Sequence, residues 1–233
     1  MTNNSLAIQG VVFDLDNTLL DFMKMKRQAV RAGIESMIEA GLTVDQDKSV
    51  DRIFELYEAK GWENQQIFDI FLEEIHGKVD AKFLAAGIVA YRRAREANLK
   101  VYPNVNQTLV SLGKMGLKLA IVSDAPRREA WMRIFYLNLH HVFDIVLTFD
   151  DTGVRKPSPK PFEMALDQLS VKADEAIMIG DWPERDVEGA KQLGIKTIYA
   201  RYGDTFGTVE SGADWDINDV SEILDIVNEL NRT

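Results

Sequence analysis

The chain has 233 residues, of which 46% are apolar, and a formal net charge of −10, a profile typical of a globular protein. This length predicts one or two domains and a core that folds without a disulfide or a metal. The acidic balance, with no dense cluster of lysine and arginine, argues against nucleic acid or an anionic membrane as a partner. Cysteine is absent, which excludes disulfides, thiolate nucleophiles and cysteine-based zinc sites.

The start of the chain is polar and has neither the basic residues nor the long apolar stretch of a signal peptide. No apolar run approaches the roughly 18 residues that a membrane-spanning helix requires. We therefore expect a cytoplasmic protein with no membrane partner. The sequence leaves the oligomeric state open.

The first predicted element is a buried strand at residues 10–13, a short apolar run rich in β-branched residues. Between residues 21 and 98, apolar residues recur at helical spacing and glycines stand where helix ends are expected. This stretch predicts about four amphipathic helices and no strand. We therefore expect two domains, a core formed by residues 1–20 and 99–233 and a helical insertion at residues 21–98.

Beyond residue 103, short apolar runs alternate with helical patterns of about ten residues, which indicates βαβ units and a parallel sheet covered on both faces. The predicted fold class is therefore α/β, a doubly wound parallel sheet with a Rossmann-like core and an all-helical insertion after the first strand. The later strands are predicted at residues 118–122, 145–149, 176–179, 196–200 and 214–217, and the helices between and after them at about 105–114, 127–137, 161–169, 187–193 and 221–230.

Polar side chains follow four of the predicted strands. In an open parallel sheet, ligands bind beyond the carboxyl ends of the strands, so these side chains are candidates for a common site. They are Asp14, Asp16 and Thr18 after the first strand, Ser123 and Asp124 after the second, Lys156 in a loop after the third, and Asp181 and Asp186 after the fourth.

Asp14 and Asp16 are two positions apart and project to the same side while the chain stays extended. Carboxylates this close repel each other, and one keeps its proton unless a cation intervenes. The pair suits a nucleophile beside a general acid and base, or a site for a hard cation. An aspartate-rich turn that caps a helix is an equally good interpretation of this pair alone.

Asp181 is expected to face Asp14 across the sheet edge, where a bound Mg²⁺ would relieve the repulsion between them. Gly180 would let the backbone approach a ligand closely. The alternative for Asp181 and Asp186 is helix capping, because carboxylates are favoured at a helix N-terminus.

Ser123 and Lys156 each have two interpretations. Ser123 either caps the helix that follows it or holds phosphoryl oxygens together with the N–H groups of that helix. Lys156 precedes Pro157, which favours an extended loop, and it is either a shaped part of a site or a solvated surface charge.

Taken together, the motifs resemble those of the haloacid dehalogenase (HAD) superfamily, in order and at plausible separations. The resemblance covers the whole chain, and the helical insertion resembles the cap of the subfamily in which the cap follows the first strand. The matching residues are Asp14-Leu-Asp16-Asn-Thr18, Ser123, Lys156-Pro157 and Gly180-Asp181 with Asp186 five residues further on.

This resemblance implies covalent catalysis on phosphorus. Asp14 would attack phosphorus and form an aspartyl-phosphate. Asp16 would protonate the leaving oxygen and then take a proton from the hydrolytic water.

The resemblance also implies a Mg²⁺ ion and a phosphate site. Mg²⁺ would be held by the carboxylates of Asp14 and Asp181 and the backbone carbonyl of Asp16, with Asp186 in the outer shell. Arg185 stands where the family often has a small polar residue, so the outer contacts of this loop are left open. Four residues would lie at the phosphate or position its neighbours: Thr18, Ser123, Asp124 and Lys156. Lys156 would also restrain the nucleophile, and Thr18 would help to position Asp16 or the loop around it.

The function implied is that of a Mg²⁺-dependent phosphatase acting on a small phosphorylated metabolite. A dehalogenase is the first alternative, but it needs no cation, and relatives with that activity typically lack the second aspartate, so Asp16 with Asp181 favours phosphate. A phosphomutase would use the same residues. A catalytically silent regulatory or interaction protein would have lost a nucleophile or a metal ligand, and neither is missing here.

Substrate specificity is not readable from the motifs. Small sugar phosphates, phosphoglycolate-like acids and nucleoside monophosphates are all candidates. Basic and aromatic residues of the insertion are candidates to contact the organic part of the substrate, although each is also typical of a solvated helix face or a core: Lys24, Lys26, Arg27, Trp62, Arg92, Arg93 and Arg95.

Overall fold

The computed structural model describes residues 7–232, and these form two compact units. The core unit comprises residues 7–21 and 100–232, and the helical unit is Phe22–Leu99. The predicted insertion at residues 21–98 differs from the helical unit by one residue at each end. Most of the polar start of the chain, from which no signal peptide is predicted, lies outside the described residues.

The core unit contains one six-stranded sheet in which all neighbouring strands are parallel. Its strands are β1 Gly10–Phe13, β2 Lys118–Val122, β3 Ile145–Leu147, β4 Ala176–Gly180, β5 Lys196–Ala200 and β6 Trp215–Ile217. The strand order is β3-β2-β1-β4-β5-β6, so the chain winds outward first on one side of β1 and then on the other. The predicted doubly wound parallel sheet is confirmed, and its switch point lies between β1 and β4.

The helical unit consists of four helices, and none of its residues, all of which are described, lies in a strand. This confirms the helical prediction for that stretch. Its apolar faces form a core of their own, which includes Ile34, Met37, Ile53, Phe71 and Leu72. The helices are α1 Phe22–Glu39, α2 Gln46–Lys60, α3 Ile67–His76 and α4 Ala81–Asn98.

The helices of the core unit cover the sheet, as the alternation of patterns predicts. Strands β1 and β4 are buried over their whole length, which explains why they read as continuous apolar runs. No helix within residues 7–232 has both the length and the apolar character needed to cross a membrane. The core helices are α5 Val105–Lys114, α6 Arg127–Tyr136, α7 Phe149–Thr152, α8 Lys160–Leu169, α9 Glu188–Lys191 and α10 Ile223–Leu230.

Two elements differ from the prediction for local reasons. Strand β3 ends at Leu147 because Thr148 and Asp151 form a capping box that starts α7, with the Thr148 N–H donating to Asp151 Oδ2 at 2.9 Å. The helix predicted at residues 187–193 is preceded by a π-helical turn, Pro183–Val187, and α9 itself is short. Such turns are frequent at functional sites, and this one contains the candidate site residue Asp186.

Candidate active site

The loops after β1 and β4 meet at the carboxyl edge of the sheet. Phe13 pairs with Ile179 in these neighbouring strands, and the Asp14 N–H donates to the Ile179 carbonyl at 2.9 Å. Asp14 and Asp181 therefore leave adjacent strand ends, as the sequence predicts. The segment after β5 also holds the loop that carries Asp14, because the Tyr202 hydroxyl donates to the Thr18 carbonyl at 2.8 Å.

Lys156 joins two carboxylates at the centre of this edge. Its ammonium Nζ donates to Asp14 Oδ1 at 2.5 Å and to Asp186 Oδ1 at 2.6 Å, and the residue is only 4% exposed. Burial lowers the pKa of Lys156, but the carboxylates of Asp14, Asp186 and Asp124 together raise it above its ordinary value. Lys156 is therefore a charged, buried member of the site rather than a solvated surface lysine.

Three buried carboxylates form an acidic cluster, with oxygens of Asp14, Asp181 and Asp186 all within 4.8 Å of one another. Burial, with the charges of Asp186 and Asp16, raises the pKa of Asp14 to about 7 against the lowering effect of Lys156. Burial and the charges of Asp14 and Asp186 also raise the pKa of Asp181 well above its ordinary value. Three carboxylates and one ammonium leave an excess of negative charge, and the all-oxygen donor set fits a divalent cation such as Mg²⁺.

Asp186 is held so tightly that both of its oxygens have donors. Oδ1 accepts from Lys156, and Oδ2 accepts from the Trp182 N–H at 3.1 Å. A Cβ at Gly180 would lie 2.2 Å from Asp186 Oδ2. Gly180 therefore makes room for the side chain of Asp186. The predicted close approach of its backbone to a ligand stays a prediction.

Thr18 contacts the acidic cluster, because its hydroxyl donates to Asp181 Oδ1 at 3.5 Å. Thr18 thus contacts Asp181, and its predicted role in positioning Asp16 or the loop around it stays a prediction. Thr18 is fully buried, and its backbone is the part that Tyr202 holds.

Ser123 is buried at the end of β2, and its Oγ accepts from the Ala125 N–H at 3.1 Å. Helix α6 begins only at Arg127, with Pro126 in the capping position, so the alternative in which Ser123 caps this helix is wrong. Its hydroxyl hydrogen is a donor of the kind that a phosphoryl oxygen accepts.

The side chain of Asp124 connects two loops. Its Oδ1 accepts from the Lys156 N–H at 3.0 Å, and its Oδ2 pairs with Arg185 Nη1 at 3.1 Å. The carboxylate therefore positions the loop of Lys156, and Arg185, which also lies 3.7 Å from the Trp182 ring centroid, completes this connection. A phosphate contact by Asp124 would then be made by its backbone N–H, and this contact stays a prediction.

Two residues of the site have no counterpart in the sequence motifs. Arg133 on α6 is buried, and its Nη1 donates to Asp16 Oδ2 at 2.7 Å. Gly203 lies so close to the first loop that a Cβ there would be 1.7 Å from the Asn17 carbonyl oxygen. The sequence gives little indication that Arg133 belongs to the site. It lies next to the apolar Ile134, on the side of α6 that is buried.

The candidate specificity residues of the helical unit divide by burial. Lys26 is 4% exposed, donates to the Trp62 carbonyl at 2.6 Å and lies 3.9 Å from the centroid of the Tyr57 ring. Trp62 stacks on Tyr57 with centroids 6.0 Å apart. Lys24, Arg27, Arg92 and Arg93 are exposed, and Arg95 is partly buried.

Known proteins resemble this chain over nearly its whole length. A family model described as haloacid dehalogenase-like hydrolase matches residues 11–200. A glyceraldehyde 3-phosphate phosphatase from Methanocaldococcus jannaschii is 33% identical, covering 97% of this chain and 99% of the relative. A protein of the same name from Methanopyrus kandleri is 36% identical, with 96% and 98% covered. The crystal structure of a HAD phosphatase from Thermococcus onnurineus has the same fold, with a TM-score of 0.68 at 24% identity over 94% of this chain and 98% of that one.

Proposed function

The chain belongs to the haloacid dehalogenase-like hydrolase family and is a phosphatase, and on that premise we propose that it hydrolyses a small phosphorylated metabolite with the help of Mg²⁺. The observation that carries the proposal is the buried cluster of Asp14, Asp181 and Asp186 around Lys156. It supplies a nucleophile, oxygen donors for a cation and an ammonium for a phosphoryl group at one sheet edge.

In the first step, a carboxylate oxygen of Asp14 attacks the phosphorus. The bond from phosphorus to the leaving oxygen breaks, and Asp16 gives its proton to that oxygen. The products are the free alcohol and an aspartyl-phosphate on Asp14. The ammonium of Lys156 holds the carboxylate in place, and with the Ser123 hydroxyl it donates to phosphoryl oxygens.

In the second step, a water oxygen attacks the same phosphorus. Asp16, now a carboxylate, takes the proton of the water, and the bond from phosphorus to the Asp14 oxygen breaks. Inorganic phosphate leaves, Asp14 is again a free carboxylate, and Asp16 is again protonated for the next cycle.

Asp14 and Asp181, with the backbone carbonyl of Asp16, would hold the Mg²⁺. Asp186 supports them from the outer shell, since both of its oxygens already accept hydrogen bonds. When bound, the cation neutralises charge on the phosphate and on the acidic cluster, so that an anionic nucleophile can approach.

We also propose that the helical unit, Phe22–Leu99, is a cap domain that restricts the site to compact substrates. The names of the relatives make glyceraldehyde 3-phosphate the first substrate to test. Other small sugar phosphates and phosphorylated acids belong in the same panel.

The test is phosphate release from this panel, with Mg²⁺ and with EDTA, in the wild type and in Asp14→Asn. We expect release only with Mg²⁺ and a loss of at least about 1,000-fold in Asp14→Asn, because the nucleophile is gone. Asp174→Asn, an exposed aspartate of the core unit, is the matched control and should keep its activity.

The alternatives give different results in the same assay. Halide release from haloacids at equal rates with and without metal would establish a dehalogenase. Conversion of a sugar phosphate to its isomer without release of phosphate would establish a phosphomutase. Folded protein that is inactive on every substrate would favour a regulatory role.

A further inference from the structure

We propose that Arg133 is a positioning residue that holds Asp16 in the orientation needed for proton transfer. This inference rests on the proposed function, in which Asp16 is the general acid and base. Arg133 lies 117 positions from Asp16 in the sequence, and its Nη1 donates to Asp16 Oδ2 at 2.7 Å. The sheet brings the two together, because α6 begins close to the carboxyl end of β2, next to β1.

Helix α6 carries three arginines in different surroundings. Arg127 and Arg128 have side chains that are 55% and 75% exposed, and they pair with Asp151 and Glu129. Solvent screens such pairs, so they contribute little. Arg133 is only 6% exposed, and a guanidinium this deeply buried is strongly disfavoured unless a carboxylate accompanies it. The side chain of Asp16 is 24% exposed, so the ion pair joins a buried guanidinium to a partly exposed carboxylate.

The ion pair selects which oxygen of Asp16 transfers the proton. Since Arg133 occupies Oδ2, a proton on Asp16 is carried by Oδ1, and the carboxyl plane is held against rotation. A displacement of about 1 Å at a catalytic group costs about 100-fold in rate. Arginine keeps its own proton at any accessible pH, so Arg133 transfers none, and its role in this proposal is to position Asp16.

The leaving group distinguishes this role from a merely structural one. An alkyl alcohol is a poor leaving group and needs the proton from Asp16, whereas p-nitrophenolate is stable and leaves without it. The ratio kcat/KM reports the steps up to loss of the leaving group and excludes hydrolysis of the aspartyl-phosphate. A residue that positions Asp16 therefore affects kcat/KM for an alkyl phosphate much more than for p-nitrophenyl phosphate.

The experiment measures kcat/KM for glyceraldehyde 3-phosphate, or the fastest alkyl phosphate of the panel, and for p-nitrophenyl phosphate. Arg133→Met should lower the first about 30- to 100-fold and the second by less than about fivefold. Arg128→Met, on the same helix, should change both by less than about twofold. Arg133→Lys keeps the charge and one donor, and it should recover the alkyl phosphate activity to within about tenfold of the wild type.

A double-mutant cycle completes the test. In an Asp16→Asn background, Arg133→Met should lower kcat/KM for the alkyl phosphate by less than about threefold, because the group it positions no longer transfers a proton. Equal losses on both substrates, or a full additional loss in the Asp16→Asn background, would overturn the proposal. If circular dichroism shows that Arg133→Met does not fold, Arg133→Gln, which removes the charge but keeps a polar side chain, replaces it and the same inequality between substrates decides.

Failure of the proposed function is a separate result. In that case the wild type releases no phosphate, or Asp16→Asn lowers kcat/KM equally for both substrates. Either result is obtained without any substitution at Arg133.

Discussion

The two units each bury a lysine to the same extent and compensate its charge differently. Lys156 in the core unit and Lys26 in the helical unit are both 4% exposed. Lys156 donates to two carboxylates, whereas Lys26 donates to a backbone carbonyl and lies over aromatic rings. The two lysines are therefore equally buried, but only Lys156 has carboxylates as its hydrogen-bond acceptors.

The two lysines differ in their neighbours, which are charged around Lys156 and neutral around Lys26. Removing Lys156 would leave Asp14 and Asp186 facing each other without a cation, which alters the protonation of the nucleophile itself. Removing Lys26 would leave neutral groups that lose an attraction but gain no repulsion. We expect the first change to appear in catalysis and the second in stability.

The largest expected effect is that of Lys156→Met on turnover. Lys156 lowers the pKa of Asp14, so its loss leaves the nucleophile protonated and weakens phosphate binding. We expect kcat/KM to fall by about 1,000-fold. Lys160→Met changes an exposed lysine at the start of α8, four positions after Lys156, and this control should stay within about threefold of the wild type. A loss below tenfold for Lys156→Met would remove Lys156 from the mechanism.

The next effect concerns the close approach between Gly203 and the loop of Asn17. In Gly203→Ala the new Cβ would meet a backbone oxygen, which cannot turn aside, and we expect a loss of about 3 kcal/mol in the free energy of unfolding. In the helical unit, a Cβ at Gly87 would first meet the terminal methyl of Met37, which can move. Gly87→Ala should therefore cost about 1 kcal/mol or less. Urea denaturation measures both, and equal losses would contradict this reasoning.

Metal removal should destabilise the core unit in a pH-dependent way. In the metal-free protein the pKa of Asp14 is raised from 3.8 to about 7, so the stability linked to its proton is present at low pH and is lost as the pH rises towards 7. Saturating Mg²⁺ at pH 8 should therefore raise Tm by about 5 °C relative to EDTA. The gain should shrink at pH 5, where protons compete with the cation. An increase in Tm that is the same at pH 5 and pH 8 would show that Mg²⁺ does not bind at Asp14.

The smallest effect is that of Lys26→Met on the helical unit. Loss of the hydrogen bond to Trp62 and of the attraction to the Tyr57 ring should cost about 1–2 kcal/mol of unfolding free energy. The value of kcat/KM for p-nitrophenyl phosphate should change by less than about threefold. A loss of activity comparable to that of Lys156→Met would show that Lys26 is also needed for catalysis, and it would contradict the stabilising role expected for Lys26.

Features that depend on local pattern were predictable from the sequence. The alternation of apolar runs and helical patterns predicted the parallel sheet, and the switch point then predicted that Asp14 and Asp181 would lie at one edge. The proximity of Lys156 to Asp14 followed from the resemblance to a family, because a lysine by itself is most often a solvated surface charge and its loop only indicated a shaped segment.

Features that depend on contacts between distant segments were not predictable. Arg133 and Gly203 belong to no motif, and their importance is visible only once α6 and the segment after β5 lie beside the first loop. The side-chain contacts of Asp124 were hidden for the same reason, since its partners, the Lys156 N–H and Arg185, are 32 and 61 positions away. The π-helical turn at Pro183–Val187 contains Asp186, whose Oδ1 accepts from Lys156, 30 positions away.

The contact between Lys156 and Asp14 spans 142 positions of the chain, and this separation has a consequence for folding. The helical unit is one continuous segment, so its helices can meet after closing only short loops. The central strand β1 acquires its neighbour β4 only when residue 176 and those after it are available. During synthesis, the helical unit is therefore expected to fold early, whereas the loop after β1 acquires its neighbouring strand only when about three-quarters of these 233 residues have been made.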